Sequence, residues 1–520
     1  MKVLFIYPPN NRPTHIIPLG LGYIGAVLRQ HGYEVQALDI DAYRFSPGEI
    51  GTVLEDVEYD VVCLSGLISV FNSACWLARE VKRAKPHAKV LAGGPLVSSL
   101  PHLLVGNSEV DVGATGEGEE VVLQLMRAFE TNARLDDIPG IVFKRDGQVV
   151  QTKPAPRIKD VDAIPFPAHD LWPTQIYLKR RIPSYFAGLG LDHAPHMGML
   201  GSRGCPYPCT YCDRAFGKLS YFRSVENIME EIAWLKKDYG VKLISFVDDY
   251  FFPDEDRIYE LCDAFRRRHP DIRWHCLGRV DKVDPKQLRA MAQAGCVTIA
   301  FGIETGSPTM LKEMKKRTTV EQGLNAVRWA REAGVNPHPS FLLGMPGETE
   351  ETMRETLEFR KELNRYLPRA NENTFWVAPL PGTELYAYCK RVGLIKDDLE
   401  YIIRYSDIHT IWKFFMNLTR LPDEKIIALK ARHQREIFWD YYEKHPEKFI
   451  RGYVWPRLLK YSGVELVGRA VHKALRIHYK RQSLAATASG VGCRRSGWIE
   501  RPLAWLEDFF NVGSKVEVSH

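Results

Sequence analysis

Three thiols stand within eight residues in the segment GSRGCPYPCTYCDRAFGK (201–218): Cys205, Cys209 and Cys212. Cysteines this closely spaced are candidate metal ligands. Two chemistries compete. Structural zinc asks for four protein ligands. His193 or His196 would have to supply the fourth, because the loop is one short segment with no second ligand knuckle. A four-iron four-sulfur ([4Fe-4S]) cluster held by three thiolates instead leaves one iron without a protein ligand. An open coordination position marks a reactive site, where a substrate or cofactor can bind and receive an electron. The remaining cysteines, Cys63, Cys75, Cys262, Cys276, Cys296, Cys389 and Cys493, are scattered and lie mostly in apolar surroundings. They read as packing thiols in a reducing compartment.

The segments around the loop have the spacing of a parallel barrel. Apolar runs at 196–202, 242–249, 273–279, 297–304, 336–344 and 373–379 read as strands. Helical patterns at 224–239, 254–268, 285–294, 319–333 and 349–365 follow the first five. Six such repeats predict a partial (β/α)6 barrel over residues 195–382, with the cysteines just after its first strand. In barrels of this kind the carboxyl ends of the strands carry the chemistry. There FVDDYF points Asp248 and Asp249 to opposite sides. FGIETGS places Glu304 where a bare loop would suffice, and LLGMPGET sets Gly344, Pro346 and Gly347 in a turn. Glu348 and Thr349 read as the start of a helix.

Ahead of the barrel, VLFIY (3–7), EVQAL (34–38), DVVCL (60–64), KVLAG (89–93) and VDVGA (110–114) alternate with helical stretches. They predict an open, doubly wound, Rossmann-like α/β domain over residues 1–150, which would bind a ligand at its strand ends. Those ends read PPNN, DID, SGLIS, GGPLVSS and GEGEE, and their Gly and Ser content admits a large ligand close to the backbone. GLGYIG (20–25) has G-x-G-x-x-G spacing but stands twelve residues beyond the first strand rather than immediately after it, which argues against a nicotinamide cofactor. A hairpin, GIVFKRDGQVVQT, and a proline-rich linker reaching residue 194 come next. Residues 383–485 read as a helical region and 486–520 as an irregular tail.

No apolar run approaches the length of a membrane span. The opening MKVLFIYPPNN reads as a buried strand rather than a signal peptide, which predicts a cytoplasmic protein. Residues 401–520 carry 21 Lys+Arg and 12 Asp+Glu, net +9. The whole chain is +6, so residues 1–400 sum to −3. In LVGRAVHKALRIHYKR (466–481) the apolar positions form one face, and Arg469, Lys473, Arg476, Lys480 and Arg481 lie mostly opposite. PLAWLEDFF (502–510) is a second amphipathic piece. These segments fit either a helical cap packed on the barrel or an interfacial helix in peripheral contact with the anionic inner face of a membrane. The cap is the commoner arrangement.

C-x3-C-x2-C with an aromatic before its last cysteine, placed after the first strand of a six-fold barrel, resembles the radical S-adenosylmethionine superfamily. PLGLGYIGAVLRQHGYEV, LSGLIS, LAGGPLVSS and GATGEGEEVV resemble the cobalamin-binding domain that precedes the barrel in its cobalamin-dependent members. The likeness spans about residues 1–380, and CTYCDR…FG…RSVENIMEEI with the DD-aromatic strand end matches this branch. It implies that Cys205, Cys209 and Cys212 hold the cluster and that Tyr211 flanks the adenine of S-adenosyl-L-methionine. It further implies that Asp249, Glu304, Gly344 and Pro346 contact that cofactor. Ser65, Gly66, Gly93, Gly94, Pro95, Gly116, Glu117 and Gly118 would receive cobalamin. The D-x-H-x-x-G motif of other cobalamin proteins is absent. His15, His31, His87 and His102 lack its context, and Leu100 stands where His102 would need an aspartate. Cobalt is therefore expected without a histidine ligand.

An unactivated C–H bond gives an acid or base no handle, so the cofactors carry the chemistry. In the family, reductive cleavage of S-adenosylmethionine yields a 5′-deoxyadenosyl radical that takes a hydrogen from substrate. The resemblance implies a C-methyltransferase first, with methyl delivered from cobalt. An anaerobic oxidative cyclase of magnesium-porphyrin monoester is the runner-up. A small-molecule or lipid-like substrate and an electron donor such as flavodoxin or ferredoxin are implied, and no nucleic acid is expected. A reading of another class, a zinc-stabilised basic binding protein without catalysis, accounts for the charged C-terminal region but not for six βα repeats.

Overall fold

Fifteen strands among the described residues carry the architecture. A computed structural model describes residues 1–449 except 10–13, 181–185, 187–188, 192, 371–372 and 409–412. The first sheet contains β1 (Lys2–Tyr7), β2 (Glu34–Asp39), β3 (Val61–Ser65), β4 (Lys89–Gly93), β5 (Val112–Ala114), β6 (Ile141–Arg145) and β7 (Gln148–Gln151). Their order is β2-β1-β3-β4-β5-β6-β7. The first five strands are parallel, and β6 and β7 close the edge as an antiparallel hairpin. Asp146 and Gly147, both at positive φ, make its turn. Strand order reverses between β1 and β3, so the carboxyl ends there splay apart and leave a crevice.

Nearly continuous apolar runs bury both faces of this sheet. Leu4, Ile6, Val62 and Leu64 share one core with the helix Phe71–Ala84. Phe5, on the opposite face, meets the helix Leu19–Gln30 at Gly25. The first core continues into the helix Asp398–Ile408 through Tyr401, Ile402 and Tyr405. Ser406 fixes that junction, accepting from the Asn72 amide at 3.1 Å and donating to the Ser69 carbonyl at 2.8 Å.

The second sheet holds β8 (His196–Met199), β11 (Leu243–Phe246), β12 (Arg273–Gly278), β13 (Cys296–Glu304), β14 (Asn336–Leu343) and β15 (Thr374–Trp376). All pairs are parallel and the order follows the chain, an open half-barrel with free edges at β8 and β15. Helices Val225–Tyr239, Glu255–Arg268, Pro285–Gln293, Val320–Glu332 and Glu350–Leu363 join them, all five starting on a Ser, Thr or Asp cap that accepts a first-turn amide. The last two do so within capping boxes, at Thr319 and Thr349.

The expected first barrel strand breaks early. It stops at Met199, and Ser202–Arg203 instead forms β9, antiparallel to β10 (Tyr221–Phe222). The buried Asp248 carboxylate draws the chain aside by accepting from the Gly201 amide at 3.1 Å. A short helix, Pro308–Glu313, also interrupts the connection after β13.

The proline-rich segment is packed rather than extended. Asp162 accepts from the Ser224 amide, the Ala168 amide donates to the Gly22 carbonyl, and Phe166 stacks on Trp234 at 6.0 Å. It therefore bonds to elements of both sheets.

The chain divides into Met1–Ile437 and Phe438–His520. Within the second unit, Phe438, Trp439, Tyr442 and Phe449 pack ring against ring. The amphipathic segments at 466–481 and 502–510, the tail and Cys493 lie outside the described residues. No described helix is long and apolar enough to cross a membrane.

Candidate active site

The cysteine loop leaves β9 through Gly204, and no other residue fits there. Its φ is +90°, and an added Cβ would lie 2.1 Å from the Leu219 carbonyl oxygen. The Cys205 amide donates to Gly217 O at 3.2 Å, and Ser220 Oγ to Gly204 O at 3.1 Å. Further along, the Thr210 amide donates to Met314 O at 3.0 Å, and Thr210 O accepts from the Leu385 amide at 2.9 Å. The loop is thus tied to three other parts of the fold.

Cys209 is buried, Cys205 half-buried and Cys212 accessible. Burial raises the Cys205 thiol above its ordinary range. It pushes Cys212 up to about 12, helped by Cys209, Asp249 and Cys205, while Lys316 opposes. A bound metal would supply the positive charge that draws such thiols to thiolate. Among the described residues, no three His, Cys, Asp or Glu side chains converge on a point where a single ion would sit.

Carboxylates from the strand ends face this loop. Asp249 bears on Cys205 and Cys212, and its own pKa is pushed up to about 6 by burial and by Asp213. Asp248 points the other way into the protein, as the alternation of a strand requires. Glu304 sits at φ +76°, a left-handed backbone that costs a glutamate about 1–2 kcal/mol. Strain of this kind gathers at functional sites. Its Oε1 accepts from buried Lys316 Nζ at 3.1 Å, and the same Nζ lies 3.3 Å from the Tyr211 hydroxyl. Gly302 makes room, because a Cβ there would lie 2.5 Å from Glu304 Oε1. Arg279 completes this side. Its guanidinium lies 3.5 Å over the Tyr207 ring and donates to Lys316 O. Lys316 and Arg279 had no flag in the sequence beyond their charge.

Gly344 and Pro346 form the turn after β14, and it is organised by Glu348. That carboxylate accepts from the Gly344 amide at 2.6 Å, while burial pushes its pKa from 4.5 up to about 7. So Glu348 closes the turn and only Thr349 caps the helix. The raised value means that stability from this group is full below pH 4.5 and lost as pH climbs through 7. Glu348→Gln should therefore gain on the wild type by roughly 3 kcal/mol between pH 5 and 8. Denaturant midpoints across that range measure it, and a pH-independent difference would refute it.

A cavity of about 300 Å³ opens at the carboxyl ends of β1, β3, β4 and β5. Ser65, Gly66, Gly93, Gly94, Pro95, Gly116, Glu117 and Gly118 all line it. Gly94 is forced by close approach, since a Cβ would lie 2.9 Å from Ser65 Oγ. A Cβ on Gly116 would meet nothing within 4 Å, and one on Gly93 nothing nearer than 3.8 Å. Leu67, 63% exposed, forms an apolar step in the wall. No histidine lines the cavity among the described residues. The far wall comes from the second sheet's neighbourhood: Leu200, Arg203, Ala215 and Phe216. The Glu117 carboxylate is not free for a ligand. Arg157 Nε, the Ile158 amide and Arg203 Nη1 occupy it at 2.8, 2.8 and 3.0 Å.

Models of two known families match the chain: the radical SAM superfamily over residues 199–360 and the B12 binding domain over 10–126. An uncharacterized methyltransferase of Pyrococcus horikoshii is 29% identical over 490 residues, covering 92% of this chain and 99% of its own. The anaerobic magnesium-protoporphyrin IX monomethyl ester cyclase of Cereibacter sphaeroides is 27% identical over 373 residues, 68% of this chain and 59% of its own. Among solved structures, the radical S-adenosylmethionine methyltransferase TsrM of Kitasatospora setae superposes with a TM-score of 0.62 at 20% identity, covering 75% of this chain and 76% of its own. That likeness establishes a shared fold.

Proposed function

Because the chain belongs to the cobalamin-dependent radical S-adenosylmethionine enzymes, we propose that it is a C-methyltransferase acting at an unactivated carbon. One observation carries this reading. The glycine-rich ends of the first sheet and the residues flanking the cysteine loop wall the same cavity. A methyl carrier held by one sheet would thus face a hydrogen-abstracting centre held by the other.

The residues fit both groups. Gly93 and Gly116 leave open space where a corrin would approach the backbone, and Leu67 offers it an apolar face without a histidine. Cys205, Cys209 and Cys212 hold the [4Fe-4S] cluster. When bound, the cluster and S-adenosylmethionine supply one-electron cleavage and hydrogen abstraction, and cobalamin supplies the methyl group.

The chain's own residues position and enclose. Tyr211, its hydroxyl held beside Lys316 and Glu304, would flank the adenine of S-adenosylmethionine. Asp249 and Glu304, the latter held by Lys316, would present carboxylates to the amino and hydroxyl groups of the cofactor. The Gly344–Pro346 turn, fixed by Glu348, offers backbone to the adenine. Phe216, Leu200 and Leu67 keep the space between the sheets dry. The substrate is a small or lipid-like molecule, the electron donor is of the flavodoxin or ferredoxin kind, and the protein works in the cytoplasm.

The test uses S-adenosylmethionine with a deuterated methyl group in cell extract supplied with the anaerobic enzyme. A product heavier by the labelled methyl is expected, with one 5′-deoxyadenosine and one S-adenosylhomocysteine per turnover. An unlabelled product with 5′-deoxyadenosine alone would overturn methylation in favour of the cyclase.

A further inference from the structure

The sequence KEMKKR, residues 312–317, ends the short helix Pro308–Glu313 with exposed Lys312 and Glu313 and then alternates buried and exposed side chains from Met314 to Arg317. Met314 and Lys316 are buried, whereas Lys312, Lys315 and Arg317 are exposed. Two non-glycine residues, Lys315 at φ 51° and Arg317 at φ 56°, adopt the left-handed conformation to achieve this. Each costs about 1–2 kcal/mol, which ordinary loop sequences avoid. The strain turns Lys316 inward to Glu304 and Tyr211 while its two neighbours face solvent.

This strained turn touches the cysteine loop directly. Met314 O accepts from the Thr210 amide, between Cys209 and Cys212, at 3.0 Å. A groove of about 900 Å³ runs along the outside, with Pro208 of the cysteine loop in its wall beside Leu311, Lys312, Lys315 and Arg317. Glu321 also lines it, and Lys315 pairs with Glu384 at 2.7 Å. Lys312 and Arg317 form no ion pair among the described residues. The groove is therefore cationic on a stretch of chain, residues 1–400, that is net −3. Its cations are exposed at the surface, with none sunk into a pocket that would grip a small anion. They suit a broad acidic protein surface.

Resting on the reading of Cys205, Cys209 and Cys212 as cluster ligands, we infer that the groove lined by Lys312, Arg317 and Pro208 is the docking surface of an acidic one-electron carrier protein, a reduced flavin or iron–sulfur carrier. In the docked pair the carrier loses one electron and the cluster gains it, with no bond made or broken. The path from groove to cluster crosses Pro208, in the loop itself, or the single hydrogen bond between Met314 and Thr210.

The test compares Lys312→Glu/Arg317→Glu with wild-type holoenzyme under two reductants. Dithionite needs no docking surface, and a bacterial flavodoxin serves as the acidic carrier. Under dithionite, 5′-deoxyadenosine formation should be unchanged by the substitutions. With reduced flavodoxin it should fall about tenfold. Calorimetric binding of oxidised flavodoxin to the holoenzyme should weaken by a similar factor, and wild-type binding should weaken between about 50 and 500 mM salt as screening shortens. Equal flavodoxin affinity and rate in the two proteins would overturn the proposal. Failure of the wild type to cleave S-adenosylmethionine even with dithionite would instead refute the cluster reading beneath it.

Discussion

Replacing any one of Cys205, Cys209 or Cys212 with alanine should remove the iron–sulfur cluster and abolish cleavage of S-adenosylmethionine. The loss is expected to be complete, because two thiolates cannot hold a four-iron cube that must also keep an open corner. The fold should survive. Cys205 and Cys212 are not fully buried, and the loop is held by backbone bonds from Cys205, Thr210 and Gly217 rather than by sulfur. Cys262, Cys276 and Cys296 are the control. They are buried among apolar neighbours, so their alanine variants should keep full iron at a modest cost in stability. Iron content and the absorbance of anaerobic protein decide it. A Cys209→Ala protein with full iron that still releases 5′-deoxyadenosine would refute the assignment.

Arg203→Met should be the most destabilising single change outside the cysteine loop. Arg203 Nη1 and Nη2 reach Glu117 at 3.0 Å and Glu119 at 2.6 Å, and its guanidinium lies 5.1 Å from the rings of Tyr23 and Phe216. The arginine belongs to β9 and both glutamates to the start of the helix Gly118–Thr131, so one buried network ties that helix of the first domain to the ladder that carries the cysteine loop. Removing the cation strands Glu119 and leaves Glu117 with Arg157 and the Ile158 amide. Breaking such a pair costs about 3–5 kcal/mol, since an uncompensated charge stays buried. Calorimetry should show a melting point lower by several degrees. Adding Glu119→Gln should recover part of it, and a fall below about one degree in the single variant would show that the network contributes little.

Much of this was legible in the sequence, for reasons that can be named. Strand runs such as KVLAG and VTIAFGIE are buried on both faces, so composition alone announces them. The five barrel helices carry their caps in sequence. What stayed hidden depends on neighbours distant in the chain. The break after Met199 is set by Asp248, 49 positions later than that residue. Of the DD pair, strand alternation required one inward and one outward carboxylate, but only packing shows that Asp249 is the one facing the cysteines. Glu117 lies at the predicted strand end, yet its carboxylate belongs to Arg157 and Arg203. In KKR nothing local distinguishes the buried middle lysine from its exposed neighbours; the left-handed residues on either side do.

Gly204 bears on how the cysteine loop could be transplanted. A barrel given only C-x3-C-x2-C would lack the Leu219 carbonyl that crowds Gly204 and the Gly217 carbonyl that receives the Cys205 amide. The smallest portable module is therefore the whole arch from Ser202 to Phe222, with both arms of its two-stranded ladder. Synthetic barrels that graft this arch should assemble a cluster where those that graft the three cysteines alone do not.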